Sequence, residues 1–175
     1  MHQNESELVL RLYQGDEKAF EELYNSHRRP VWLYCLKIVG DKDLASDIFQ
    51  ETFIRVHEKM ASFRGTGSLS GWIFRIARNQ CYDALRRIRK HPSVDEVEDL
   101  VSPTNSYDTV DHREELRKAL DALKPEQREI IILREIQGFS YQEIADLTDA
   151  SLACVKVRLF RAREKLRFAL HSLGS

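Results

Sequence analysis

Apolar residues recur at every third or fourth position along nearly all of the 175-residue chain, which is the spacing of helices that bury one face. The two-residue alternation of β-strands is almost absent. A first helix is predicted over about 6–14, with Gly15 ending it and Asp16 capping the next. Pro30 lies within the second helical pattern, so we expect a break or kink at about 26–30.

A third helix is predicted to start at one of the aspartates in the 41–43 segment and to bury one apolar stripe. Residues 63–68 contain two glycines and predict a mobile loop. Ser68 or Ser70 can then cap a long helix over about 69–90. The buried positions expected in that helix are Leu69, Ile73, Ile76, Ala77, Ala84, Leu85 and Ile88.

Helical periodicity fails over 92–108, where prolines, serines and acidic residues are frequent. This composition is typical of a flexible linker. Beyond it, the pattern predicts one helix over about 109–123 and another over about 125–138, with proline favoured at the first helical position. We therefore predict an all-α protein of two small helical domains, 1–91 and 109–175, joined by the 92–108 linker.

The end of the chain has the order of elements found in a helix-turn-helix. Ser140 and Glu143 have the spacing of a capping box, in which each side chain binds the other residue's backbone amide. The short helix that they open is followed by a turn at 148–150 and by a last helix that Ser151 caps. A short helix that braces a second one against the core is the arrangement by which such proteins present a helix to the major groove.

The last helix is basic, and the part after Ser151 would lie nearest the bases in a major groove. Lys156 and Arg161 are the candidates for base-edge or phosphate hydrogen bonds, and Arg163 and Arg167 for phosphate contacts. A solvated helix face explains the charge alone. The capping box, turn and basic helix in this order favour DNA binding.

Charge is distributed in blocks, although the net charge is only −1. Residues 64–90 carry seven basic residues and one acid, 95–115 carry eight acids and one base, and 156–167 carry six basic residues and one acid. Two basic blocks indicate two places of nucleic-acid contact. The hydrophobic fraction of 42% excludes a disordered chain.

The first basic block also contains aromatic residues and side-chain amides. Aromatic faces that stack bases, with cations that follow phosphates, are the combination that single-stranded DNA requires. Burial in a core explains the aromatic residues equally well, so both interpretations stay open. The residues concerned are Phe63, Trp72, Phe74, Asn79, Gln80 and Tyr82. A polar stripe over 47–58 is explained, on pattern alone, by a solvated helix face.

Other kinds of chemistry find little support in the sequence. The three cysteines and six histidines are scattered, so we expect no disulfide framework, metal site or cofactor. There is no nucleophile motif, and we expect neither enzymatic activity nor a small-molecule substrate. Because no targeting segment or apolar run of membrane length is found, we expect a cytoplasmic protein without membrane insertion.

Three segments resemble those of bacterial sigma factors of the sigma-70 family. Residues 47–55, DIFQETFIR, resemble the DIVQETFLR-like segment of that family. The adjoining promoter-melting segment of the family is similar to FRG at 63–65 and WIFRIARN at 72–79 in this chain. The C-terminal domain of the family is similar to LKPEQR at 123–128, GFSYQEIA at 138–145, VK at 155–156 and RLFRAR at 158–163. With a short linker and little else, the chain is similar to the extracytoplasmic-function (ECF) group.

The resemblance implies a role for each segment. The polar stripe is implied to bind the β′ clamp helices of core RNA polymerase through Asp47, Gln50, Glu51 and Arg55. The loop and the long helix after it are implied to melt the minus-10 element and to read it as single-stranded DNA through Phe63, Arg64, Trp72, Arg75, Arg78, Asn79 and Arg86. The C-terminal domain is implied to read the duplex minus-35 element through Arg134, Ser151, Lys156, Arg158, Phe160, Arg161 and Arg163.

The resemblance also implies contact with the β flap of the polymerase and control by an anti-sigma factor. One departure concerns the minus-35 preference: many relatives have Gly-Thr before the Val-Lys pair and Ser after it, where this chain has Ala153, Cys154 and Val157. The main rival is a dimeric helix-turn-helix repressor. That interpretation leaves 47–55 and 63–90 without a role.

Overall fold

The computed structural model describes the backbone of residues 2–65, 67–90 and 110–173, and the side chains of 5–65, 67–89 and 115–172. Within these ranges all regular structure is helical. Contacts divide the chain into two compact units, Met1–Asp99 and Leu100–Ser175. The all-α prediction is therefore confirmed, whereas the linker predicted at 92–108 lies outside the described residues.

The described part of the N-terminal unit contains four α-helices joined by short connections. They are α1 (His2–Tyr13), α2 (Glu17–Val39), α3 (Lys42–Lys59) and α4 (Leu69–Lys90), with a 3₁₀ turn at Met60–Ser62. Asp16 caps α2 by accepting from the amides of Lys18 and Ala19, and Asp41 caps α3. Ser68 caps α4, since its hydroxyl accepts from the Gly71 amide at 3.1 Å. Capping residues are therefore where the sequence places them.

Helix α2 is continuous through Pro30, so a break at this position is wrong. A proline inside a helix removes one hydrogen bond to the carbonyl four residues earlier. Leu23 before the proline and Val31 and Tyr34 after it are all fully buried. Packing on both sides of Pro30 therefore keeps the helix intact, because tertiary contacts override local propensity.

The core of the N-terminal unit lies between α2, α3 and α4. Tyr34 of α2 and Phe74 of α4 meet edge to face, with ring centroids 5.3 Å apart. Leu69, Ile73 and Ala77 are buried as expected, but Ile88 is 53% exposed and its predicted burial is wrong. Residues 86–89, in the last turns of α4, are all exposed, so the neighbouring helices cover only the earlier part of α4. The other positions expected to be buried, Ile76, Ala84 and Leu85, are half-buried.

Four α-helices also lie within residues 110–173 of the C-terminal unit, and they are α5 (Val110–Asp121), α6 (Pro125–Ile131), α7 (Tyr141–Thr148) and α8 (Leu152–Leu173). Between α6 and α7, Ile132–Ile136 form a π-helical turn, and the Gln137 amide donates to the Ile132 carbonyl five residues earlier. The sequence gives no sign of this turn. Gly138 then reverses the chain with a φ of +77°, close to the predicted end of the helix.

Candidate nucleic-acid and polymerase interfaces

Helix α7 and the turn after it have the geometry of a helix-turn-helix. Ser140 and Glu143 form a capping box: the Glu143 amide donates to the Ser140 hydroxyl at 3.2 Å, and the Ser140 amide donates to the Glu143 carboxylate at 2.8 Å. Asp149 ends α7 in the left-handed region with a φ of +52°. Ser151 then caps α8 by accepting from the Cys154 amide. Local interactions therefore fix where α8 begins.

Helix α8 has one buried side and one basic, exposed side. Val155, Leu159 and Ala162 are buried. The outward side near the start of the helix carries Phe160, which is 63% exposed, and Val157, which is 49% exposed. The exposed basic residues of this part of α8 are Lys156, Arg158 and Arg161. Apolar and cationic side chains side by side can contact thymine methyl groups, base edges and phosphates.

Two of the predicted minus-35 residues are bound within the unit. Arg134 donates to the Phe139 carbonyl at 2.9 Å and lies over the ring of Tyr141. Arg163 forms two hydrogen bonds with Glu135, at 2.9 and 2.6 Å, and this carboxylate raises the pKa of the guanidinium above its usual value. Both Arg134 and Glu135 lie in the π-helical turn. Sequence reasoning missed Glu135 because nothing in the sequence announces that turn.

The predicted single-stranded DNA residues of α4 and its loop fall into two groups. Phe63 is 5% exposed and packs on the half-buried Trp72, with ring centroids 5.4 Å apart. Its ring is part of the core here and offers no open face to a base, and the same holds for Phe74, which is 1% exposed. The exposed group consists of Arg64, Arg75, Asn79 and Arg86, while Arg78 is half-buried and lies over Tyr82. Cations and an amide therefore line the surface that the buried rings support.

The predicted polymerase-binding residues lie on α3. Asp47 and Gln50 are exposed, and Glu51 accepts from Arg55 at 2.7 Å one turn later. Arg55 also faces Gln80 of α4, which is 9% exposed and accepts from the guanidinium through its amide oxygen. The sequence made Gln80 a candidate for reading bases, whereas in the structure it contacts Arg55 and joins α4 to α3.

An aromatic groove lies next to this stripe and was not recognised in the sequence. Tyr24 meets Phe53 edge to face at 4.9 Å, and Phe20 meets His57 in the same way at the same distance. The spacing of four residues between Phe20 and Tyr24, and between Phe49 and Phe53, is a signal that these rings share one surface. The groove is lined by Phe20, Tyr24, Phe49, Gln50, Phe53, Ile54, His57 and Glu58.

Three further features concern the part of the chain that the structure describes. No helix there is long and apolar enough to cross a membrane. No group of three or more His, Cys, Asp or Glu side chains there could hold a metal ion. Cys35 and Cys81 are buried, Cys154 is half-buried, and none of these three forms a disulfide.

Comparison with known proteins decides the family. Sigma-70 region 2 matches residues 23–91, and Sigma-70 region 4 matches residues 113–166. The ECF RNA polymerase sigma-E factor of Escherichia coli strain K12 is 32% identical over 173 residues, which are 91% of this chain and 90% of that protein. The chain belongs to the ECF sigma factors. The sigma-E factor of Haemophilus influenzae is 30% identical over 95% of each chain, and the sigma-H factor of Pseudomonas aeruginosa is 28% identical over 98% of this chain and 96% of its own length.

Solved structures agree with this ECF sigma factor fold. The sigma factor RpoE from Bartonella quintana, crystallised with the anti-sigma factor NepR, has a TM-score of 0.78 and 29% identity over 88% of this chain and 98% of its own. CnrH, solved with the cytosolic domain of CnrY, has a TM-score of 0.74 over 96% and 97% of the two chains, and at 22% identity it supports the fold alone. The resemblance in the sequence is confirmed. This ECF sigma factor is a specificity factor that recognises promoters in transcription initiation.

Proposed function

We propose that this sigma factor binds core RNA polymerase through α3, reads the minus-10 element as single-stranded DNA through α4 and its loop, and reads the minus-35 element as duplex through α8. Catalysis then belongs to the polymerase, and the chain has no active site of its own. It works in the cytoplasm, where the polymerase and the DNA are. The observation that carries the proposal is the exposed start of α8, which a complete capping box and a left-handed turn hold in place.

The polymerase contact is supported by the charges of α3. Asp47 is exposed, and Glu51 and Arg55 form an ion pair that is more than a third exposed on both sides. Such groups can exchange partners with a charged helix at little cost, because exposed ion pairs contribute only about 0–1 kcal/mol. The aromatic groove beside them offers apolar surface to the same partner, here the β′ clamp helices. In the C-terminal unit, an apolar groove beside Leu123 with the 76% exposed Phe168 supports contact with the β flap.

The minus-10 contact is supported by the exposed residues Arg64, Arg75, Asn79 and Arg86, with Trp72 and Arg78 half-buried among them. Cations along one helix can follow the phosphates of an unpaired strand, and an exposed amide can bind a base edge. Phe63 supports the loop from within the core. A base captured from the non-template strand has to leave the stack before these groups can bind it.

The minus-35 contact combines base reading and phosphate binding. Arg161, Lys156, Arg158 and Phe160 are exposed on α8 and are the proposed direct contacts. Ser151 acts first as the cap of α8. Arg134 and Arg163 shape the unit through Phe139 and Glu135 and can add phosphate contacts at its edge.

Transcription in vitro with core enzyme, followed by mapping of the start sites, tests the proposal as a whole. The expected result is initiation at defined promoters that depends on both the chain and the core enzyme. The rival repressor would bind duplex operator DNA tightly without polymerase. Tight duplex binding by the isolated chain, with no initiation in the presence of core enzyme, would contradict the proposal.

The double variant Asp47→Ala/Glu51→Ala tests the clamp contact. We expect weaker binding to core enzyme with an unchanged fold, because both carboxylates lie on the surface. The matched control, Glu7→Ala/Glu21→Ala, removes two exposed carboxylates elsewhere in the same unit. Equal affinity of the two double variants for core enzyme would contradict the assignment of α3.

We further propose that an anti-sigma factor holds this chain inactive by covering the surfaces that polymerase needs. RpoE from Bartonella quintana, which resembles this chain in fold and sequence, was solved with such a partner. In the groove on α2 and α3, the 54% exposed Ile54 and the half-buried rings of Phe20, Tyr24 and Phe49 support this kind of contact. A partner of this kind should suppress initiation in vitro and be displaced by excess core enzyme.

A further inference from the structure

The loop between the 3₁₀ turn and α4 is tied at both ends to α1. At its start, the Tyr13 hydroxyl donates to the Phe63 carbonyl. At its end, the amide of Leu69 donates to the Glu5 carboxylate at 2.6 Å. These partners are 50 and 64 residues apart in the chain. Helix α1 therefore holds both Phe63 and Leu69, the first and last residues of this connection.

The tie at Leu69 satisfies a backbone group that the helix itself cannot. Leu69 is the first residue of α4, and the first amides of a helix have no partner within it. A carboxylate is favoured at this end because the helix dipole is positive there, and a hydrogen bond to a charged acceptor is stronger than one between neutral groups. The Ser68 hydroxyl accepts a hydrogen bond from the Gly71 amide. Glu5 and Ser68 therefore divide the capping of α4 between them.

The described residues between these two hydrogen bonds include two glycines. Gly65 and Gly67 both have positive φ, at +68° and +91°. Glycine adopts such angles readily, but it also gives the chain more conformations to lose. Fixed ends reduce the number of conformations that the loop can sample. The position of Arg64 and of the first turn of α4 therefore depends on α1.

Helix α1 is itself anchored to α2. Leu12 is 7% exposed, and Arg11 pairs with Asp16 at 2.9 Å and with Glu22 at 3.0 Å. The ion pair with Arg11 lowers the pKa of Asp16 below its usual value. Because Asp16 is also the cap of α2, the two helices are joined at the turn between them. A helix held in this way can transmit its position to the loop that it touches.

We propose that α1 is a brace that positions residues 63–65 and the first turn of α4, with Glu5 and Tyr13 as positioning residues for reading single-stranded minus-10 DNA. The proposal rests on the proposed function of that loop. It assigns a role to a helix that lies outside the residues matched by Sigma-70 region 2, which begin at residue 23. Neither residue needs to touch DNA for this role.

The first test is amide hydrogen exchange of the isolated full chain. Glu5→Ala removes the acceptor of the Leu69 amide, and Tyr13→Phe removes only a hydroxyl. Glu7→Ala is the control, an exposed carboxylate on the same helix. In Glu5→Ala we expect exchange of the Leu69 amide to accelerate about tenfold, because one hydrogen bond to a charged acceptor is lost. In Glu5→Gln we expect part of the protection to return, because the side-chain amide keeps one oxygen that can accept. Unchanged exchange at Leu69 would overturn the brace.

The second test uses the holoenzyme and an oligonucleotide that carries the non-template minus-10 sequence of a mapped promoter. The quantity measured is the ratio of its affinity to that of an oligonucleotide with one changed base. For Glu5→Ala/Tyr13→Phe we expect this ratio to fall by about tenfold while affinity for core enzyme stays at the wild-type value. Simple destabilisation would lower the active fraction equally for both oligonucleotides and leave the ratio unchanged.

The outcomes separate this proposal from the proposed function. A wild-type chain that does not initiate with core enzyme contradicts the proposed function itself. A wild-type chain that initiates and discriminates bases, with a double variant that discriminates equally well, overturns only the role of α1. A lower ratio in the double variant and an unchanged one in Glu7→Ala support the brace.

Discussion

The two units hold their proposed DNA-binding residues by different means. In the C-terminal unit, Ser140, Glu143 and Ser151 fix α7 and α8 through hydrogen bonds to residues three positions away. In the N-terminal unit, the loop before α4 is held by Glu5 and Tyr13, which are far away in the chain. The first surface is therefore built from local interactions, and the second depends on the folding of the whole unit.

This difference suits the two kinds of DNA that we propose. A duplex presents its base edges in a regular groove, so a rigid helix with outward side chains is sufficient. An unpaired strand has no fixed shape, and the protein has to hold its own binding groups in place. Aromatic rings packed in the core of the N-terminal unit support the backbone that carries these groups. Phe63 contacts Trp72, and Phe74 contacts Tyr34.

The largest effect is expected for Phe74→Ala, which tests whether an aromatic residue of the basic block is core or stacking platform. Because Phe74 is 1% exposed, we expect the N-terminal unit to lose about 3–5 kcal/mol of stability. Phe160→Ala is the control in the other unit, where a 63% exposed ring should change stability by less than about 0.5 kcal/mol. Hydrogen exchange of the slowest amides in each unit measures both values. An unchanged stability in Phe74→Ala, with weaker DNA binding, would show that the ring stacks on bases.

A smaller effect is expected for Arg161→Ala, which tests the duplex-reading surface. We expect a loss of about 1–3 kcal/mol in promoter binding by the holoenzyme, with a lower salt dependence. Lys165→Ala removes an exposed charge further along α8 and serves as the control. Binding measured at several salt concentrations gives both quantities. Parent-like values for Arg161→Ala would place this residue away from the DNA.

Ser140→Ala tests whether local capping holds the C-terminal surface. We expect a loss of about 1 kcal/mol in the stability of this unit, because the Glu143 amide loses its acceptor. Ser172→Ala, which removes an exposed hydroxyl near the end of α8, should have little effect. Urea unfolding, monitored by hydrogen exchange of the amides in α7, measures the difference in stability between the two variants. Equal stability of the two variants would mean that packing alone holds α7.

The smallest effect is expected from pH, through His27 in the N-terminal unit. Burial lowers the pKa of His27 below its ordinary value of 6.5, and the carboxylate of Glu5 partly opposes this shift. The unfolded chain therefore binds a proton at a higher pH than the folded chain does. Stability should fall as pH decreases below about 6.5 and level off below the folded pKa. Unfolding of His27→Gln at several pH values should lack this component, and an unchanged pH profile would contradict it.

The sequence predicts best what depends on neighbours along the chain. Asp16, Asp41 and Ser140 cap helices as their spacing indicates. The break at Pro30 is wrong because contacts with other helices decide whether α2 continues. Burial at Ile88 is wrong because periodicity does not tell where the neighbouring helices end. The same limit applies to the aromatic residues of α4, for which the pattern left burial and exposure open.

The candidate site was predicted in outline, and the partners of its residues were not. Exposed positions such as Arg161 follow from the spacing of α8. The pairing of Arg163 with Glu135 depends on the π-helical turn, and that of Arg55 with Gln80 depends on how α3 and α4 pack. Glu5 gives no signal at all, because its contact with Leu69 joins residues that are distant in the chain.

The ion pair between Arg163 and Glu135 has a consequence for how this chain selects its sites. A DNA phosphate near Arg163 has to compete with a carboxylate that already binds the guanidinium, and that carboxylate then repels the backbone. This penalty is the same for every DNA sequence, so it lowers affinity without changing discrimination. The loss in affinity is small, because both side chains of this ion pair are almost half exposed and such pairs contribute only about 0–1 kcal/mol. Attachment to a polymerase that is already bound at the minus-10 element would raise the local concentration of the C-terminal unit near the minus-35 element. Occupancy of the minus-35 element would rise accordingly.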